Sequence, residues 1–156
     1  MFWKLSRKEF DAGKGESNRV AQKFIVSQGR TPGLIAYIDG VPAGWIAVEP
    51  RSEFTGLARS RVLAPFDDSP VWSVPCFFVA QKFRGVGLTV RLLKAAVDYV
   101  TLHGGKIVEG YPVEPKQEKV SPVFIYTGVV SAFKQAGFIE VIRRSETRPI
   151  MRYFIE

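Results

Sequence analysis

The 156-residue chain predicts an α/β (α+β) fold in a single domain spanning residues 1–156. Three observations carry that expectation. From Val71 to Val100 an apolar run, VWSVPCFFVA, is followed by a short basic loop with two glycines and then by an amphipathic stretch, which reads as strand, loop and helix. Ahead of it, LIAYI and GWIAV flank Asp39-Gly40, a dipeptide that favours a tight hairpin. With 46% hydrophobic and 13% aromatic residues against 24% charged, the chain can fill a core and is too apolar for disorder.

The elements follow in order. Residues 1–5 are apolar apart from Lys4 and are expected as a short first strand. Ser6 caps a turn through Phe10, which Gly13 and Gly15 break. A helix opens at Ser17 or Asn18, carries Val20, Phe24 and Ile25 on one face, and ends at Gly29. Residues 34–38 and 44–48 are the hairpin strands. Residues 51–65 form a loop with a short helical turn. Pro75, inside the central strand, removes a ladder donor and belongs at a bulge or an edge. After Gly87, a helix to about His103 places Leu88, Leu92, Leu93, Ala96, Val97 and Val100 on one face, with Arg91, Lys94 and Asp98 opposite. The next strand, 106–113, lies parallel to 71–80 through a right-handed crossover. A charged loop leads to a helix opened by Ser121 and Pro122 and carrying Phe124, Tyr126, Val129, Val130 and Phe133; strands at 139–143 and 149–155 close the chain.

The net charge of +7 suits nucleic acid, an acidic membrane surface or a polyanionic cofactor. The basic residues are dispersed rather than run together, so a diffuse basic surface is preferred to nucleic-acid binding. Cys76 is the one cysteine, so no internal disulfide is possible, and His103 lacks companions for zinc; no metal is expected. Lys4, Arg7 and Lys8 interrupt the start, and no apolar run nears eighteen residues. Neither signal peptide nor membrane span is read, and a cytoplasmic location is expected.

The loop after the central strand has the makings of a phosphate site. A helix N-terminus offers unpaired N–H groups, Lys82 and Arg84 add charge, and Gly85 and Gly87 permit close approach. No GxxxxGK[ST] is present, and Val90 stands where GxGxxG needs its third glycine. What remains, Lys82-Phe83-Arg84-Gly85-Val86-Gly87, resembles the [QR]xxGx[GA] pyrophosphate loop of the GCN5-related N-acetyltransferase (GNAT) superfamily, with Lys82 in place of Gln or Arg. LIAYIDGVPAGWIAVEP is similar to the hairpin preceding that loop, and Phe133…Gly137-Phe138 resembles the family's YxxxGF.

The resemblance implies a mixed, mostly antiparallel sheet flanked by helices, in which the parallel fourth and fifth strands (β4/β5 of that family) splay apart. It implies acetyl-CoA as donor, its pantetheine arm pairing along the opened strand, and a primary amine of a small molecule or peptide as acceptor. The pyrophosphate maps to Lys82, Phe83, Arg84, Gly85, Val86 and Gly87, with Leu88 and Thr89 opening the helix, and the oxyanion maps near Phe78 and Val79. The family's usual acid is a Tyr where this chain has Phe133, so Tyr126 is the candidate, a packing aromatic being the alternative. Glu109 shares a strand face with Ile107 and Tyr111. As a partly desolvated carboxylate bordering the cleft it is the candidate base, with pairing to Arg143 or Arg144 as the alternative. Cys76 is read as a buried structural thiol; Asp67 and Asp68 either attract a cation or serve a turn. A non-catalytic acyl-CoA-binding module and a basic nucleic-acid-binding domain are the competing readings. Only 33 residues precede Leu34, where the family has a strand and two helices. A shortened strand or missing helix is expected, leaving Phe2 and Trp3 for a homodimer to cover.

Overall fold

In a computed structural model of the chain, residues 1–116 and 126–156 are described. The first segment departs from expectation. Residues 1–5 make turns, with the Lys4 and Leu5 amides both donating to the Met1 carbonyl. Phe2 meets Trp3, Phe10 and Tyr126 edge-on, and the Trp3 indole donates to the Pro75 carbonyl at 3.1 Å. The apolar patch expected to need a second subunit is thus covered from within the chain, which removes the ground for a homodimer there. Both helices are present. Ser6 and Glu9 form a capping box that starts α1 (Arg7–Ala12), and α2 (Glu16–Ser27) follows without burying any residue.

β1 (Gly33–Ile38) and β2 (Val41–Ala47) pair antiparallel around Asp39 and Gly40, whose φ of 50° and 75° make a type I′ turn. Pro42 cannot donate, and the register shifts opposite it between Ala36 and Tyr37. β3 (Glu49–Pro50) and α3 (Thr55–Ala58) lead into the central run, which Pro75 divides further than expected. β4 (Trp72–Val74) and β5 (Phe77–Val79) belong to different sheets. The order is β1-β2-β5 in one sheet and β3-β4-β6-β8-β7 in the other. The second is completed by β6 (Ile107–Gly110), β7 (Ile139–Arg143) and β8 (Pro149–Phe154). As expected, β6 lies parallel to β4, but pairing stops at Val74↔Gly110. Beyond that point the strands part.

α4 (Leu88–Leu102) holds the two sheets together. Its predicted stripe is buried whole and shares one cluster with Ile46 of the first sheet and Val74, Val108 and Met151 of the second. Each such Leu or Val contributes about 1.5–3 kcal/mol. Of the helix expected from Ser121, the portion with Phe124 lies outside the described residues. At Tyr126 the chain is in a turn, Val129 bridges to Val113, and α5 begins only at Val130 (Val130–Gln135). No helix among the described residues is long and apolar enough to cross a membrane.

Candidate active site

β5 has one paired edge and one free edge. On the paired side, Ala47 N–H donates to the Cys76 carbonyl at 3.0 Å and Ala80 N–H to Ala43 at 2.9 Å. Alternation along an antiparallel ladder then makes Trp45–Phe78 the bonded pair between them and turns the peptide groups of Phe77 and Val79 towards the splay. The Phe77 amide is taken by the Tyr126 carbonyl at 2.6 Å, and the Val79 carbonyl accepts from Arg84 Nε at 3.2 Å. Among the described residues no carbonyl takes the Val79 N–H, which faces the opening. Of the two residues expected to meet an oxyanion, Val79 therefore has a backbone donor to offer, while the Phe78 amide is spent on β2.

The free edge opens into a cavity of about 580 Å³ between β5, α4 and α5. The loop at its far end is built for close approach. Gly85 and Gly87 have φ of 78° and 74°, and a Cβ on either would meet nothing within 4 Å. Gly87 leads directly into α4, whose first turn has no side-chain cap. The unpaired N–H groups and the positive end of the helix dipole are available to an anion. Arg84, Gly85, Gly87, Leu88 and Thr89 line this cavity, as do Phe83, Phe78 and Val79; Lys82 and Val86 do not. The Lys82 ammonium lies instead over the Phe83 ring, and Val86 points to solvent.

Tyr126 reaches the same cavity from the opposite wall. Burial raises its phenol above the usual value, and the nearby Arg148 guanidinium works against that rise. The group is a neutral hydroxyl that can give a proton. Ser131 and Gln135, four residues apart on the exposed face of α5, complete the wall. The sequence carried a signal for them: two polar residues one helical turn apart, opposite the apolar Ala132, Phe133 and Ala136. Phe133 itself is fully buried between Phe77 and Phe138, and a Cβ at Gly110 would strike its ring.

Glu109 stands elsewhere. It lines neither this cavity nor the two beside α1 and α2, and it has no exposed surface. Arg51 Nη1 and the Tyr111 hydroxyl donate to Oε1, and Arg152 Nε donates to Oε2, each at 2.7 Å. The Tyr111 proton goes to Glu109, so Ser73 Oγ, 2.7 Å from the phenol oxygen, donates in turn. The expectation of a base fails on geometry. Alternation along β6 was read correctly, but the face it selects is packed under the 51–70 segment rather than open to the cleft. The partners expected for Glu109 are also engaged elsewhere: Arg143 pairs with Glu140 and Glu114, and Arg144 donates to the Ala64 and Pro65 carbonyls. Asp67 takes Arg152 in a fork at 2.7 and 2.9 Å, which holds its carboxyl well below the usual range and occupies it structurally. Burial pushes the Cys76 thiol up to about 11, against a nucleophilic role.

The acetyltransferase (GNAT) family model matches residues 1–118. An acetyltransferase of the GNAT family from Listeria monocytogenes superposes with a TM-score of 0.60 at 9% identity, over 96% of this chain and 77% of that one. The NatC complex bound to Gag peptide and CoA gives 0.54 at 12% identity, over 88% and 79%. An aminoglycoside acetyltransferase in complex with coenzyme A and kanamycin gives 0.51 at 17% identity, over 77% and 64%. At such identities the likeness is one of fold. No curated protein matches the chain. The family match spans most of the sequence, and the broken strand beside an uncapped helix gives it structural sense: the chain belongs to the acetyltransferase (GNAT) family and is an enzyme of the N-acetyltransferase type.

Proposed function

We propose that the protein moves an acetyl group from acetyl-CoA to a primary amine, in the cytoplasm. One observation carries this reading: the free edge of β5 and the uncapped N-terminus of α4 open into one cavity, so backbone donors at one end and an anion site at the other face a single elongated ligand. Arg84, Gly85, Gly87 and the first amides of α4 would hold the pyrophosphate, and the edge of β5 would take the pantetheine arm. When bound, acetyl-CoA supplies a thioester carbonyl open to attack by an amine. The Val79 N–H meets the carbonyl oxygen as negative charge gathers there. Tyr126 gives its proton to the sulfur as the C–S bond breaks, and regains one from the amine, which must shed a proton to become an amide. Glu109 holds β4 against β6 and takes no part in the proton transfers. Calorimetric titration with acetyl-CoA and with CoA tests the assignment. Binding of both is expected. Binding of neither, with salt-dependent retention on DNA, would replace it with a nucleic-acid role. Binding without thiol release for any amine would make the chain a non-catalytic CoA module.

A further inference from the structure

A second chamber lies on the face of β5 turned away from α4. Phe78, Trp45 and Ile35 stand in register across β5, β2 and β1 and form a row on that face. They floor a groove of about 800 Å³ walled on the other side by α1 and α2. The groove adjoins a smaller apolar cavity of about 190 Å³ beside Cys76 and Tyr126; Trp45 and Phe10 line both. Phe78 and Tyr126 also border the donor cavity, so chamber and donor site meet at β5.

The charge of this chamber has one sign. Among the described residues no Asp or Glu lines either part of it, and the charged side chains that do are Lys4, Lys14, Arg19 and Arg30. Lys4 and Arg30 answer the buried Glu49, Arg30 also answers Glu53, and Arg19 answers Glu16. Lys14, at the rim, has no ion-pair partner among the described residues. A polycation entering here would shed water without gaining a counter-ion. An apolar body would cover the exposed floor, since Phe78 and Ile35 are 60% and 56% exposed. A carboxylate near Lys14 would add a favourable pair.

We propose that this chamber is the acceptor site, and that its acceptor is a small amine with an aromatic or branched apolar body and a carboxylate, of the hydrophobic amino-acid type, with polyamines and aminoglycosides excluded. The assignment rests on the acetyl-transfer reading above. The test is a calorimetric titration of L-phenylalanine, phenethylamine and spermidine into the protein, with and without saturating CoA. Phenylalanine binds most tightly, phenethylamine next, and spermidine at least about tenfold more weakly than phenylalanine. Phe78→Ala weakens phenylalanine about tenfold. Ile35→Asp, which adds a carboxylate to an exposed strand position, narrows or reverses the preference against spermidine. Spermidine binding as well as phenylalanine, or binding of none of the three, overturns the proposal. If phenylalanine binds but acetyl-CoA does not, the chamber stands and the acetyl-transfer reading falls.

Discussion

β4 and β5 come from one apolar run and end in opposite circumstances. β4 is paired on both edges, and its Ser73 joins a buried chain of hydroxyl, phenol, carboxylate and two guanidinium groups. β5 is paired on one edge, carries two exposed or half-exposed side chains out of three, and lends its other edge to a cavity. The residues between them are Pro75, which cannot donate, and Cys76. Across the gap stands Gly110, the last β6 residue in register with β4, where the ring of Phe133 fills the space a side chain would take. The lesson is positional. A fully satisfied polar network fixes where the strands must stay together, and one missing N–H fixes where they come apart.

Substitutions at the two ends should separate chemistry from stability. At the β5 end, Tyr126→Phe should lower turnover on the order of 10²–10⁴-fold while acetyl-CoA affinity and melting temperature hold, as steady-state kinetics and calorimetry would show. An unchanged turnover would remove Tyr126 from the proton path. At the β4 end, Glu109→Ala leaves Arg51 and Arg152 facing each other without their shared anion and should cost about 3–5 kcal/mol in urea unfolding. A variant that is stable but inactive would return Glu109 to the reaction.

Smaller effects sharpen the contrast. Gly85→Val places a side chain in the left-handed region and should cost about 1–2 kcal/mol of stability, together with acetyl-CoA affinity. Gly104, with φ of 73° and open space around it, is a matched control away from the cavity. Gly104→Val should show the strain without the affinity loss; equal affinity losses would detach the loop from the phosphate. The smallest effect sits at the break itself. The Cys76 thiol is raised from its ordinary 9.0 to about 11. Below pH 9 it is protonated in both states and adds no pH dependence. Above that the unfolded chain loses its proton first, so stability declines until about pH 11. Cys76→Ala should flatten that part of the curve.

Much of this was legible in the sequence because it is written in local periodicity. The α4 stripe, the Asp39-Gly40 turn and the parallel β4/β6 crossover need only neighbours within a few residues or a handedness rule. The glycine loop was legible for the same reason. Glu109 was misread because its partners are 58 and 43 residues away; alternation gives the face of a strand but not what covers that face. Tyr126 was placed on a helix that starts later, since its turn is set by a bond to Phe77 across the splay. Lys82 fitted the motif by position, yet its ammonium sits over the Phe83 ring, a contact that spacing in the motif does not encode.

The Val79 amide offers a reading of the molecule in time rather than in space. Deuterium should enter at Val79 quickly, because no carbonyl among the described residues guards it, while the neighbouring Phe78 amide, locked to β2, exchanges only when the hairpin opens. A thioester oxygen seated on Val79 would guard that amide directly, whereas Phe78 would slow only through the stabilisation that binding gives against opening. Two adjacent peptide groups thus report separately on occupancy and on unfolding, and the unlabelled chain carries its own indicator of the loaded state.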